Sequence, residues 1–417
     1  MPRPLAIIVF LVFFAACSHD ASTQNAGIPP VLHGGGPPTA TPAPSASSSA
    51  HPSATPSAHP STSPSAHPTP TPIATPTPIA SPTPAPTPTP FNPSSVHITE
   101  HSIPVTPLYV AAGADHAAYF GFGSSGSGSN LYRYSHGSFV QTMPAPPPDG
   151  YDTGGGVYGI TVTNQGRVFW LSAYLDQSAA LDVEVECGGA GGSATLCEPS
   201  IDEPTTMLVD RNGTFWLGGL TFDGGGAIVT STNASITFDT AGVMQILNGP
   251  KQAVWGVLAD FTQQPPRYSV AEFAVSGTRI VVAHKYVLPS GDSIASMTFG
   301  GDGGLWFADY ERNAIGRMDA SGSVREFALH SPNSVAQPWY GQWQIATACD
   351  GAVWFTEPGP NKIARIDARG AILEFPLPSG GAQPTAIASV HSATGQCTAP
   401  ELWVGEQQRK ALAAVAF

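Results

Sequence analysis

Charge is scarce in this sequence. Asp, Glu, Lys and Arg make up 11% of its 417 residues, where an ordinary soluble domain has roughly a quarter, and 16 basic side chains face 29 acidic ones. A net charge of −13 leaves no basic surface for a phosphate backbone, so no nucleic-acid partner is expected. No Gly-rich phosphate loop, His-Glu-x-x-His or Gly-x-Ser-x-Gly element occurs, which removes the common nucleotide, zinc-protease and hydrolase readings. The apolar run from Leu5 to Phe14 is too short to span a bilayer comfortably. Cysteine is limited to five residues with no Cys-x-x-Cys spacing, so metal binding by cysteine is the weaker reading. What is plentiful is turn chemistry: 45 Gly and 43 Pro in a weakly charged chain suit all-β structure.

The clearest order lies between Ser293 and Gln383, where one unit is copied. Gly303-Gly304-Leu305-Trp306-Phe307-Ala308-Asp309 returns as Gly351-Ala352-Val353-Trp354-Phe355-Thr356-Glu357, with the tryptophans 48 residues apart. Asn313-Ala314-Ile315-Gly316-Arg317-Met318-Asp319 returns as Asn361-Lys362-Ile363-Ala364-Arg365-Ile366-Asp367, and Val324-Arg325-Glu326-Phe327 as Ile372-Leu373-Glu374-Phe375. Short apolar runs separated by Gly, Asp, Asn and Pro are strands joined by tight turns, and a period in the forties with a Trp in each copy points to propeller blades. A single small sheet cannot cover both of its faces, so each copy needs neighbours.

The N-terminal part has a different composition. Residues 1–17 read as an export signal, with Arg3 ahead of the apolar run, and Phe14-Ala15-Ala16-Cys17 resembles the lipobox of bacterial lipoproteins, which implies lipid on Cys17. Ordinary cleavage that leaves Cys17 free is the alternative. Ser18 after the cysteine favours the outer membrane, so the expected place is the cell envelope or cell surface, with the membrane reached through the lipid. Residues 18–94 are Pro, Ser, Thr, Ala and His with no apolar pattern that offsets the entropy of folding, a disordered stalk. His51, His59 and His67 recur there every eight residues, either as metal ligands or as by-products of duplication. In an exported chain the remaining four cysteines are expected as two disulfides, Cys187–Cys197 within one blade and Cys349–Cys397 across adjacent blades.

Residues 95–417 are then predicted to be one seven-bladed β-propeller. Its strand anchors are Tyr119, Trp170, Trp216, Trp255, Trp306, Trp354 and Trp403. The last repeat stops at Phe417 without an outer strand, while Ile98-Thr99-Glu100-His101-Ser102-Ile103-Pro104 resembles Leu373-Glu374-Phe375-Pro376-Leu377-Pro378, so the N-terminal strand is expected to complete the C-terminal blade near Val415.

With Trp354-Phe355-Thr356-Glu357, Asn361 to Asp367, Leu373 to Pro378 and Gln383-Pro384-Thr385-Ala386-Ile387-Ala388 in view, the sequence resembles the virginiamycin B lyase (streptogramin lyase) family. The resemblance is strong from Ser293 to Glu406, weak from Tyr158 to His284 and absent before Ser95. It implies a seven-bladed propeller with its site on one face of the funnel. For true lyases it implies magnesium-assisted elimination that opens the ester of a cyclic depsipeptide. The family's catalytic histidine lies in a Glu-Pro-His-Gly-Ile element, which here reads Gln383-Pro384-Thr385-Ala386-Ile387, so Thr385 stands at the base position and Gln383 at the neighbouring carboxylate. A second family histidine falls where this chain has Pro338 to Ile345. The carboxylate of the final Trp-Phe-x-x-Glu element is kept as Glu406.

In a blade the start of the first strand and the end of the second share one face. That face is expected to collect Asp309, Glu357 and Glu406, each three residues after its Trp, with Tyr158, Trp339, Tyr340, Trp343, Gln383 and Thr385. The carboxylates either ligate a hard cation such as magnesium, with Glu406 as the catalytic candidate, or satisfy hydrogen bonds between blades. The aromatic residues with Gln383 and Thr385 are the expected ligand contacts; the alternative for Trp339, Tyr340 and Trp343 is a funnel plug formed by their own packing. The expectation is a monomeric binding propeller for a small molecule or peptide; the alternative is a magnesium-dependent C–O lyase with a relocated base, and a purely structural module is a third.

Overall fold

Each anchor-bearing run is a stretch of aromatic, β-branched and small residues, and each becomes the second strand of an antiparallel meander. These second strands are Ala118–Gly121, Val168–Asp176, Phe215–Leu220, Val254–Asp260, Leu305–Asp309, Val353–Glu357 and Leu402–Glu406. The structure, a computed structural model, describes residues 91–417 apart from 122–129, 145–150, 164, 177–180, 189–193, 198–200, 202, 222–224, 290, 337–343 and 391–398. The compact unit is Phe91–Phe417. Trp339, Tyr340, Trp343, Cys397, His391, Cys17 and the stretch 18–90 lie outside the described residues, as do the side chains of Tyr158, Cys187 and Cys197.

The strands form five four-stranded sheets and one eight-stranded sheet. The eight-stranded sheet is itself two four-stranded meanders whose outer strands meet at one parallel bridge, Ser235 to Arg279. The innermost strands of the meanders are Tyr109–Ala112, Tyr151–Val162, Glu203–Val209, Ala241–Asn248, Ser296–Phe299, Ile345–Thr347 and Pro384–Ser389. Each touches the next in chain order, and the last touches the first, so the meanders close into a ring: a β-propeller. The ring is fastened by His97–Ser102, which pairs antiparallel with Ala411–Ala416 in the register Ile98 to Val415 and forms the outer strand of the last blade.

The core sits between blades, not within them. Trp170 and Leu217 belong to one cluster spanning the second and third blades, Trp306 and Phe355 to another between the fifth and sixth, Trp354 and Val404 to the next, and Trp403 and Phe120 to the one that joins the last blade to the first. Trp306 stacks on Phe327 and Trp354 on Phe375, at 5.6 and 5.4 Å between centroids.

The copied polar residues are mostly scaffold. Arg317 Nε donates to Asp302 Oδ2 and Arg365 Nε to Asp350 Oδ2, both at 2.8 Å, which ties the third strand to the turn before the Trp. Asn313 and Asn361, in left-handed conformations with φ 51° and 62°, clamp the linker into the next blade. Asn313 Nδ2 donates to the Ser331 carbonyl at 2.8 Å while its Oδ1 accepts from the Ser334 N–H at 2.7 Å. Asn361 repeats this with the Ser379 carbonyl and the Gln383 N–H, at 2.9 and 3.1 Å.

Candidate functional site

Successive strand residues face opposite sides, so a residue three after the Trp faces away from it. Trp306, Trp354 and Trp403 look toward the following blade. Asp309, Glu357 and Glu406 therefore look back, toward the linker that brings the chain into their own blade. All three are fully buried, and each has its own neighbours.

Asp309 is satisfied. Ser293 Oγ donates to its Oδ1 at 2.8 Å, and the backbone N–H groups of Ser293 and Arg312 donate at 3.2 and 3.1 Å. Asp309, Asp292 and Glu326 bring oxygens within 4.8 Å of one another. The Arg312 guanidinium stands among them, 2.5 Å from Asp292, 3.4 Å from Glu326 and 4.0 Å from Asp309. Burial raises the Asp309 pKa against these donors.

Among the described residues, Glu357 has no hydrogen-bond donor on either oxygen. Burial pushes its pKa up; the Ser334 hydroxyl works the other way, as do the charges of Lys362 and His330, while Glu374 adds to the rise. Lys362 Nζ sits 2.5 Å from Glu374 Oε2. Glu406 likewise finds no donor, and its pKa is pushed up to about 8, first by burial and then by the Glu100 carboxylate beside it, with Arg409 opposing. Two carboxylates hydrogen-bond only when one holds a proton. Glu100 is held by Ser379, whose N–H and Oγ donate to its two oxygens at 2.7 and 2.5 Å. No imidazole is among the described groups that act on Glu406; His330 is the one that acts on Glu357.

Thr385 lies at a bulge in the innermost strand of the last blade, between Pro384, which pairs with Glu406, and Ala386. Its carbonyl accepts from Thr356 Oγ1 at 3.2 Å, a contact that sets the second strand of the sixth blade against it. Its own hydroxyl is buried without a partner among the described residues. Gln383 is exposed, with φ 53° and its backbone fixed by Asn361 and Gln407. The structure thus sets Thr385 beside the Pro384–Glu406 pair at one strand start, while Glu357 keeps company with Ser334, Lys362 and Glu374 in the blade before. Glu100 was not among the expected site residues; its likeness to Glu374 marked a strand, not a site.

The family model described as Virginiamycin B lyase family matches residues 151–416, well over half of the chain. The chain belongs to the virginiamycin B lyase family. Among solved structures, selenomethionine-substituted virginiamycin B lyase from Staphylococcus aureus is 18% identical, over 77% of this chain and 99% of its own, with a TM-score of 0.53. A catalytically inactive histidine-to-alanine variant of virginiamycin B lyase from the same organism, with quinupristin, gives the same values. A streptogramin B lyase is 19% identical, over 77% of this chain and 97% of its own, again with a TM-score of 0.53. These likenesses show the fold. No curated protein matches the chain at a significant level.

The magnesium implied for virginiamycin B lyases asks for free, hard oxygen donors. Asp309 has both oxygens engaged, whereas Glu357 and Glu406 each keep two buried oxygens without a donor, so these two residues fit the ion chemically and Asp309 does not. A bound magnesium would supply charge to steady an enolate.

Proposed function

We propose that this member of the virginiamycin B lyase family binds a small molecule or peptide at its funnel face without performing the elimination. The observation that carries this reading is Thr385, a buried, partnerless hydroxyl where the family pattern has its histidine. A threonine hydroxyl takes no proton near neutral pH unaided, and in the Staphylococcus aureus lyase a histidine-to-alanine variant is catalytically inactive. Gln383 and Thr385, with Tyr158, Trp339, Tyr340 and Trp343, are the proposed contacts. We place the protein in the cell envelope, exported and anchored through lipid on Cys17 beyond the stalk of residues 18–94. The disulfide-bonded state of Cys349 supports an oxidising compartment, with Cys397 as the proposed partner.

A second reading has its own support. The Glu406 pKa, pushed up to about 8, makes its carboxylate a strong base in the minor fraction that is ionised near neutral pH, which suits a lyase whose base has moved. The two are separated by giving the full chain a streptogramin B antibiotic with Mg²⁺, following ring opening by mass spectrometry and binding by calorimetry. Binding without an opened ring is expected. Ring opening that disappears in Glu406→Ala would replace the binding reading with the lyase; absence of both would leave only a structural module.

A further inference from the structure

The start of each first strand and the end of each second strand mark the funnel face. The turns between first and second strands, and those between third and outer strands, therefore lie on the opposite face. In blades one, five and six the first of these turns holds an acid that the third strand answers: Asp115 pairs with Arg133, Asp302 with Arg317 and Asp350 with Arg365. Charge cancels there. In blades two, three and four the corresponding turns expose Arg167, Arg211 and Lys251, and the outer turn of the fourth blade adds Arg279. Among the described residues none of these four has an ion-pair partner. The acid beside them, Asp210, is turned inward, accepting from the N–H groups of Asn212 and Thr214 and from Trp216 Nε1, all at 2.9 Å.

The fourth blade is also longer on this side. Its third strand, Arg267–Ser276, last meets the second strand where Phe273 lies opposite Val254, yet it runs on, paired with the outer strand Arg279–Val287, to a turn at Gly277 with φ 63°. The projecting end carries Val275 and Val281, 46% and 43% exposed, beside Arg279. Ser235 of the third blade meets Arg279 in the parallel bridge, and the Ser231 N–H donates to the Phe215 carbonyl at 2.9 Å, so the turn of Arg211 and the hairpin form one connected edge. Exposed valines among unpaired cations suit the headgroup region of an anionic bilayer, which takes apolar side chains below its phosphates and basic ones against them.

The chain enters the propeller on this same face. Phe91 packs on Phe417, and the Arg365 guanidinium, which holds the turn acid Asp350, lies 4.0 Å over its ring. Residues 1–90 therefore join the face that carries the cations. The net charge of −13 does not prevent attraction. Strands of this length span about 17–20 Å, about two screening lengths at physiological salt, so Asp309, Glu357 and Glu406 at the funnel end are screened from anything on the far face. We propose that this face, at blades two to four, docks on an anionic lipid surface. Val275 and Val281 enter the interface, and Arg167, Arg211, Lys251 and Arg279 meet the phosphates. The funnel face then points away from the lipid, open to its ligand. This docking goes beyond the proposed ligand binding and needs neither that ligand nor lipid on Cys17.

The test is co-sedimentation with vesicles of the chain from Ser18 onward, which keeps the compact unit Phe91–Phe417 whole and has neither leader nor lipid. The vesicles are phosphatidylglycerol and phosphatidylethanolamine in about equal parts, or phosphatidylcholine alone, in low salt. Wild type is expected to sediment with the anionic vesicles only. Arg211→Glu with Lys251→Glu should bind about tenfold more weakly or worse, and Val275→Asp with Val281→Asp should also weaken binding. Arg267→Glu, which alters a cation exposed at the funnel end of the fourth blade, should bind as wild type does. No binding to the anionic vesicles, equal binding to both kinds, wild-type binding in either double variant, or an equal loss in Arg267→Glu overturns the proposal. So does binding of polyglutamate without binding of vesicles, which would assign the cations to an acidic protein. Should one double variant fail to fold, the other decides.

Discussion

Burial pushes the Glu406 pKa up and so favours its protonated form in the folded chain over the unfolded one. An acid whose folded pKa is raised, here from 4.5 to about 8, contributes its stability below 4.5 and loses it as pH rises through 8. Each pH unit in that window removes up to about 1.4 kcal/mol, reduced by whatever Arg409 and solvent screen. Glu406→Gln should therefore flatten the fall of melting temperature with pH in metal-free buffer relative to wild type. Parallel curves would assign the loss to other groups. How far single residues were legible depended on spacing. Arg317 and Arg365 each follow their Trp by 11 residues and could be matched by eye, whereas Arg133, which makes the same ion pair with Asp115, follows Tyr119 by 14 because residues 122–129 intervene. Asn313 and Asn361 were visible as copies, but their clamp on the next linker depends on a left-handed backbone that only the structure displays. Glu100 and Glu406 are 306 residues apart in the chain, and nothing local joins them.

At the scale of elements, the outer strand His97–Ser102 is the piece whose loss changes most. Without it, Ala411–Ala416 becomes an open edge, and Ile98, Phe91 and Val96 leave the cluster around Trp354. A chain starting at residue 91 should keep the melting temperature of the full protein, while one starting at 104 should lose about 2 kcal/mol or more, a fall of about 4–8 °C, and associate through the bared edge. Thermal melts and size-exclusion chromatography of the two truncations check this; equal melting temperatures would mean that the strand fastens nothing. This element was legible because a missing outer strand at one terminus and an extra strand at the other are a single deficit seen twice. The innermost strand of the sixth blade was less so, because the residues before Ile345 break the repeat.

For the whole molecule, the repeats are uneven while the cores are not. Sequence likeness is plain only from Ser293 onward, yet the apolar clusters continue around the ring, including those joining the third blade to the fourth and the fourth to the fifth. Burial asks only for an apolar residue of suitable size in each gap, so the early blades keep the geometry after losing the words. Because the core lies in the gaps, a blade that unfolds removes two interfaces, and the ring cannot open at one place without weakening both neighbours. Unfolding should then be a single transition despite the difference between the halves. The tryptophans test this, since Trp170, Trp216, Trp255, Trp306, Trp354 and Trp403 place one indole in the second strand of every blade but the first, whose anchor is Tyr119. Tryptophan fluorescence and far-ultraviolet circular dichroism should melt together. Two separated transitions would show that the degenerate blades form a unit of their own, and that closure by His97–Ser102 couples the halves too weakly to make the ring cooperative.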